Sequence, residues 1–171
     1  MRASYLGCIM KPTEVIRPAR KSDQGALLDL IRAYYRFDRI AYDSVTVPRA
    51  LGTLLRDSSL GRIWVAEKRG RLIGYAIMTF NYDLEFGGSE GLVTDLYVAA
   101  RWRKRGIGRG LIDAVRAFCH EAGIGTIELQ VTKDNRAARA FYASIGFREF
   151  DWVVMALNTA PNLSAARKGS T

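Results

Sequence analysis

One junction limits the fold of this chain more than any other stretch. The run Leu92–Val98 is rich in strand-forming residues and leads through Ala99–Trp102 into Arg103-Lys104-Arg105-Gly106-Ile107-Gly108-Arg109-Gly110. From Gly106 to Ala122 the apolar residues Ile107, Leu111, Ile112, Val115 and Phe118 return at helical spacing, and Gly123 and Gly125 end the run. Thr126–Thr132 then reads as a second strand. A strand, a helix and a strand in this order form a right-handed crossover between parallel strands. The turn at its start has its own chemistry. The first turn of a helix has unpaired N–H groups and a partial positive charge, so it can hold a phosphate. Gly106 and Gly108 allow close approach to the backbone, and the cations around them add charge pairing. The spacing fits neither GxxxxGK[ST] nor the dinucleotide-binding GxGxxG pattern.

The segments before this junction point to hairpins. Glu14–Arg17 reads as a short strand closed by Pro18, and Ser22-Asp23 as the N-cap of a helix carrying Leu27, Leu28, Leu30, Ile31, Tyr34 and Tyr35. A second helix starts at Thr46, with Pro48 in its first turn, and carries Leu51, Leu54 and Leu55. Ile63–Glu67 and Leu72–Phe80 flank a hairpin turn at Lys68-Arg69-Gly70-Arg71. Beyond the crossover, Asn135–Ile145 is a helix ended by Gly146, and Phe147–Leu157 returns as one or two strands. Hairpins followed by a crossover imply an α/β fold of one domain, with a mixed, mostly antiparallel central sheet and about four flanking helices.

Composition excludes several function classes. The 171 residues suit one domain, expected over 13–158 between a flexible extension at 1–12 and a disordered tail at 159–171. No apolar run is long enough to span a bilayer, and Met1–Lys11 is too short and mixed for a secretory signal, so a cytoplasmic protein is expected. Cys8 and Cys119 are far apart, and His120 is the only histidine, falling between core positions of its helix. Neither a disulfide nor a metal site is expected. The net charge of +9 attracts anionic partners without choosing among them. No RNA-binding or zinc pattern accompanies it, so no specific nucleic-acid partner is expected.

A second constellation follows the Thr126–Thr132 strand: Asn135-Arg136-Ala137-Ala138-Arg139-Ala140-Phe141-Tyr142, then Gly146-Phe147. Asn135 sits at a helix N-cap, and Ala138, Phe141 and Ile145 can face the sheet. Tyr142 lies beside that face, either as a core aromatic or as a functional hydroxyl. With the opening Ile16-Arg17-Pro18-Ala19 and the Arg103-x-x-Gly106-x-Gly108 turn, the chain resembles the GNAT superfamily of N-acetyltransferases from about Val15 to Leu157. Val15–Ala19, Phe80-Asn81-Tyr82-Asp83 and Asp95-Leu96-Tyr97-Val98 are most similar to the diamine acetyltransferase branch.

The resemblance implies acetyl-CoA as co-substrate, with no metal. It implies that the backbone of Leu96, Tyr97 and Val98 pairs with the pantetheine arm. It places the pyrophosphate at Arg103, Lys104, Arg105, Gly106, Ile107, Gly108 and Arg109, with Asn135 and Ala138 on the cofactor farther along. Tyr142 matches the tyrosine that protonates the departing thiolate. A homodimer is implied on the same ground.

The branch likeness is broken at two places. Thr94 stands where those enzymes carry a glutamate before the Asp95 position, and Arg36 and Arg39 replace an acid-rich stretch and would repel a polyamine. An alkyl ammonium of pKa about 10 must lose a proton before it can attack. Asp95, or a nearby acid through ordered water, is the candidate base, although Asp95 can equally be structural. Strand alternation puts Thr94 and Asp95 on opposite faces. A backbone N–H of Leu96–Val98 would meet the oxyanion. The acceptor is a small primary amine on this reading. The alternatives are a protein N-terminus or lysine, or a noncatalytic acetyl-CoA sensor.

Overall fold

Arg69 and Gly70 take left-handed backbone conformations, with φ of 50° and 75°. Such a two-residue turn matches the twist of paired strands, and it joins β2 (Gly61–Lys68) to β3 (Arg71–Asp83) in an antiparallel hairpin. The computed structural model describes residues 14–151, 153–157 and 159. The remaining elements are β1 (Val15–Pro18), α1 (Gln24–Asp38), α2 (Thr46–Arg56), β4 (Gly88–Val98), α3 (Ile107–Glu121), β5 (Ile127–Leu129) and α4 (Arg136–Ser144). Short 3-10 turns cover Lys21–Asp23 and Ala100–Trp102.

The five strands lie in the order β1-β2-β3-β4-β5, antiparallel up to β4, with β5 parallel to β4. This is the mixed, mostly antiparallel sheet with four flanking helices that the sequence predicts. Each face is covered by its own apolar cluster. On one side α3 buries Ile107, Leu111, Ile112, Val115 and Cys119 against Trp64, Ala76, Met78 and Val93. On the other, Leu27 and Ile31 of α1 and Leu51 of α2 pack on Ile63, Val65, Tyr75, Ile77 and Tyr97. Each fully buried aliphatic side chain contributes about 1.5–3 kcal/mol relative to exposure.

Four sequence expectations change. Ser22-Asp23 does not cap α1: the Asp23 carboxylate instead takes two hydrogen bonds from Arg17 and one from the Arg20 amide. The ion pair with Arg17 outcompetes a neutral cap. Pro18 ends β1 from within the strand, pairing with Trp64. The strand expected over Thr126–Thr132 shrinks to Ile127–Leu129, because it meets β4 only at Gly91, Leu92 and Val93. The described residues of Phe147–Leu157 form no strand, and Val153, Val154, Met155 and Leu157 are exposed. Ladder hydrogen bonds need a partner edge, and a three-residue β5 offers little of one. The expected terminal extensions and Cys8 lie largely outside the described residues. His120 is exposed, as its helical phase predicts.

Candidate active site

β4 carries an irregularity at the centre of the sheet. Asp95 pairs with Ile77 and Val93 pairs with Met78, so Thr94 is an extra residue with no partner on β3. Such a bulge breaks the two-residue alternation of side chains. Thr94 and Asp95 therefore do not point to opposite faces as a regular strand would send them. The Thr94 Oγ1 lies 3.5 Å from the Asp95 Oδ2.

β5 follows β4 no farther than Val93, opposite Leu129. From Thr94 to Val98 the outer edge of β4 has no strand beside it among the described residues. The Ala99 amide bonds to the Ile73 carbonyl on the β3 side at 2.9 Å. By alternation, Tyr97 turns its backbone toward β3 as well, while Leu96 and Val98 turn theirs to the open edge. The Tyr97 side chain is buried in the α1–α2 cluster, 6.2 Å from the Tyr75 ring centroid.

The open edge runs directly into the basic turn. Arg103 donates from Nε to the Val98 carbonyl at 2.9 Å and stacks its guanidinium 4.2 Å from the Phe37 ring centroid. Lys104 and Gly106 adopt positive φ, 59° and 81°, and Gly106 is the N-cap of α3. A left-handed cap favours glycine. The Gly110 amide makes the first bond of α3, to the Gly106 carbonyl at 2.9 Å. The amides of Ile107, Gly108 and Arg109 precede that bond and have no acceptor within the helix. Together with the N-terminal end of the helix dipole they make an anion cradle.

The cations around this turn divide by role. Arg101 and Arg105 lie over the Trp102 ring, at 5.5 and 5.1 Å from its centroid, and Lys68 joins them at 4.5 Å. Arg109 reaches away from the turn to the Ser144 carbonyl at 3.4 Å, tying α3 to the end of α4. Lys104 is exposed.

α4 closes the other side. The Asn135 side chain caps it, accepting from the Ala138 amide at 3.1 Å. Phe141 comes to the first turn of α3, and a Cβ on Gly108 would stand 3.5 Å from its ring. Tyr142 packs with ring centroids 5.2 Å from Phe141 and 5.6 Å from Phe147. Its hydroxyl pKa is pushed up to about 12, first by burial and then by the charge of Asp95. The same charge acts on two tyrosines that sequence reasoning did not single out. Burial, followed by Asp95, raises the pKa of Tyr34 on α1 and that of the fully buried Tyr75 on β3. The charge of the half-buried Asp95 acts on all three hydroxyls.

The sequence model of the Acetyltransferase (GNAT) family matches residues 26–147, from α1 through Phe147, and so takes in the whole of this geometry. The chain belongs to the GNAT acetyltransferase family. It is an acetyl-CoA-dependent N-acetyltransferase. The chain is 28% identical over 134 residues to an uncharacterized N-acetyltransferase, YhfO, of Bacillus subtilis, covering 78% of this chain and 89% of that one. It is 28% identical over 145 residues to a thialysine N-epsilon-acetyltransferase of Bos taurus, covering 79% and 84% of the two chains. The solved structure of aminoglycoside N-acetyltransferase AAC(6')-Iy in complex with CoA has the same fold, with a TM-score of 0.76 at 17% identity, over 89% of this chain and 99% of that one. The residues of this GNAT chain suit acetyl-CoA as co-substrate. An unpaired strand edge can take an extended amide-bearing arm, and the amides at the start of α3 can take a diphosphate.

Proposed function

We propose that this GNAT enzyme passes the acetyl group of acetyl-CoA to a small primary amine by direct attack while both substrates are bound. One observation carries the reading: the open edge of β4 begins at the Thr94 bulge and leads without a break into the amide cradle of α3. That continuity supports an extended thioester lying along β4, its pantetheine amides on Leu96 and Val98 and its pyrophosphate at Lys104–Arg109. In this reading Arg103 shapes the turn through Val98 and Phe37, while Lys104 and Arg105 meet phosphate charge. Asn135 and Ala138 flank the arm from α4.

The chemistry follows from charge and proton position. The acceptor ammonium gives its proton to Asp95, directly or through a water, and the freed nitrogen attacks the carbonyl carbon. A Leu96 or Val98 amide stabilises the oxyanion. The C–S bond then breaks, Tyr142 gives its proton to the departing sulfur, and the second proton shed by the acylated nitrogen restores the Tyr142 hydroxyl. A hydroxyl pKa near 12 keeps that proton in place at every pH where the amine is a substrate. Asp95 takes the part that a glutamate at position 94 would play; it shares a sheet face with Tyr75, and its charge acts on Tyr142. Arg36 and Arg39 are both exposed, so solvent and salt screen their repulsion of a cationic acceptor. The same reading has the enzyme act as a cytoplasmic homodimer.

Thiol release from acetyl-CoA, measured across monoamines, diamines, polyamines, aminoglycosides and peptides, tests the reading. Turnover with at least one small amine is expected. Turnover with peptides alone would move the acceptor to proteins, and none at all would leave an acetyl-CoA sensor.

A further inference from the structure

The indole of Trp102 gathers three cations, Lys68, Arg101 and Arg105. The Lys68 Nζ lies 4.5 Å from the ring centroid, and the guanidinium carbons of Arg105 and Arg101 lie at 5.1 and 5.5 Å. All fall within the roughly 6 Å at which an aromatic face attracts a cation. Lys68 ends β2, Arg101 shares the 3-10 turn with Trp102, and Arg105 immediately precedes the Gly106 cap of α3. The left-handed backbone of Lys104 stands between Trp102 and Arg105.

The ring is anchored from below. It packs against the core cluster under α3, and the Trp102 amide donates to the Ala99 carbonyl at 2.7 Å. Its Nε1, in contrast, is buried with no hydrogen-bond partner among the described residues. A leucine or phenylalanine could pack there without leaving a donor unpaired, and an unpaired buried donor is destabilising. Packing alone therefore does not account for a tryptophan. What the indole adds is the strongest cation-binding face of any side chain.

The three cations differ in what else they hold. Lys68 is paired with Glu14 at 2.9 Å. Arg17 and Arg139 elsewhere in the fold are likewise committed to carboxylates. Arg101 and Arg105 are exposed and belong to no ion pair among the described residues. Two such guanidiniums held to one ring, next to the free amides of α3, make a positive field for an outside anion. Long side chains lose rotamer freedom when they grip a ligand, and a ring that already restrains them removes part of that loss.

We propose that Trp102 is a positioning residue for acetyl-CoA, holding Arg105 and Arg101 so that their guanidiniums meet a phosphate of the co-substrate seated at the α3 amides. This rests on the acetyl-transfer reading above and adds to its site a residue that acts through the two arginines. The phosphate is the diphosphate or the ribose phosphate monoester of CoA, and dephospho-CoA carries only the first.

Calorimetric titration of CoA into the full chain tests the role without turnover, with circular dichroism showing that each variant is folded. Trp102→Leu should weaken binding about five- to ten-fold, and Trp102→Phe, which keeps a weaker aromatic face, about two- to three-fold. In an Arg101→Gln/Arg105→Gln background, Trp102→Leu or Trp102→Phe should cost less than the same change costs in the wild type, because the groups it positions are gone. Should Trp102→Leu not fold, Trp102→Phe carries the same comparison. Repeating the series with dephospho-CoA assigns the phosphate: a retained effect means the diphosphate, and a lost one the monoester. Equal affinity in the wild type and the Trp102 variants, or an equal loss with and without the two arginines, overturns the positioning role and leaves the acetyl-transfer reading standing. Absence of saturable CoA binding in the folded wild type removes that reading and this role with it.

Discussion

The Thr94 hydroxyl stands 3.5 Å from a carboxylate oxygen of Asp95, a contact that regular strand alternation does not allow between neighbours. It exists because Thr94 is the unmatched residue of the β4 bulge. Asp95 pairs with Ile77 and so shares the face of Ile77, Tyr75 and Tyr97, and its charge helps raise the hydroxyl pKa values of Tyr34, Tyr75 and Tyr142. In the proposed mechanism Asp95 is the base and Tyr142 the proton donor.

Asp95→Asn keeps the side-chain shape and removes the charge. Turnover should fall by about a hundred-fold or more, the usual size of a lost general base. Because Asp95 raises the Tyr142 pKa, ultraviolet titration of the variant should show that tyrosine ionising at lower pH than in the wild type. Unchanged turnover would return Asp95 to a structural role.

Tyr142→Phe should lower kcat by about a hundred-fold or more while acetyl-CoA affinity changes little, since only the leaving-group proton is lost. The wild-type rate should rise with pH as the acceptor amine deprotonates. It should show no falling limb near 10, where an ordinary tyrosine ionises, because burial and Asp95 hold Tyr142 at about 12. A pH–rate profile measured to pH 10.5 checks this, and a decline near 10 would remove Tyr142 as the donor.

Arg103 braces the turn through the Val98 carbonyl and the Phe37 ring, and the proposed acetyl-CoA site depends on that turn. Arg103→Ala frees the Val98 carbonyl and the Phe37 face, and acetyl-CoA affinity should drop about ten-fold. Arg103→Lys keeps the charge and loses the planar stack, so it should restore little of that loss. Full rescue by lysine would show that charge alone is what Arg103 supplies.

Arg17 joins the first strand to both the 3-10 turn ahead of α1 and the second strand, with hydrogen bonds of 2.8 and 3.0 Å to Asp23 and of 2.6 and 2.9 Å to Glu67. Arg17→Ala should cost about 1.5–3 kcal/mol in urea unfolding at pH 7. The hydrogen bond from Arg17 holds the Asp23 carboxyl below its ordinary range. Its contribution is therefore complete above the unfolded-state value near 3.9 and is lost as pH falls through the lower folded value. The gap between variant and wild type should start to narrow below about pH 4 and close once the pH is under the folded value. A gap that persists there would mean that Arg17 acts by packing and not by charge.

The crossover was legible because its signals agree at every level: the apolar phase of Ile107–Val115, the glycines after the helix, and the strand-forming runs on both sides. The helix cap at Asn135 was legible for the same reason. The bulge was not, since a single inserted residue leaves no mark in composition and shows itself only in the pairing of Val93 and Asp95 with β3. The tyrosine cluster on the α1–α2 side was hidden too, because Tyr34 and Tyr75 are forty-one positions apart and are joined through Tyr97 only by tertiary packing. Asp23 misled because an N-cap and an ion pair ask for the same carboxylate, and the partner that decided between them came from β1.

Calorimetric titration with acetyl-CoA bears most directly on the claim that the turn at Arg103–Gly108 cradles a diphosphate. The account predicts saturable one-site binding that weakens about five- to ten-fold in Lys104→Ala and again in Arg105→Ala, equivalent to roughly 1–1.4 kcal/mol each. It predicts a larger loss in Gly106→Val, where the left-handed cap is strained. Absence of saturation in the folded wild-type protein, or binding indifferent to all three substitutions, would contradict it.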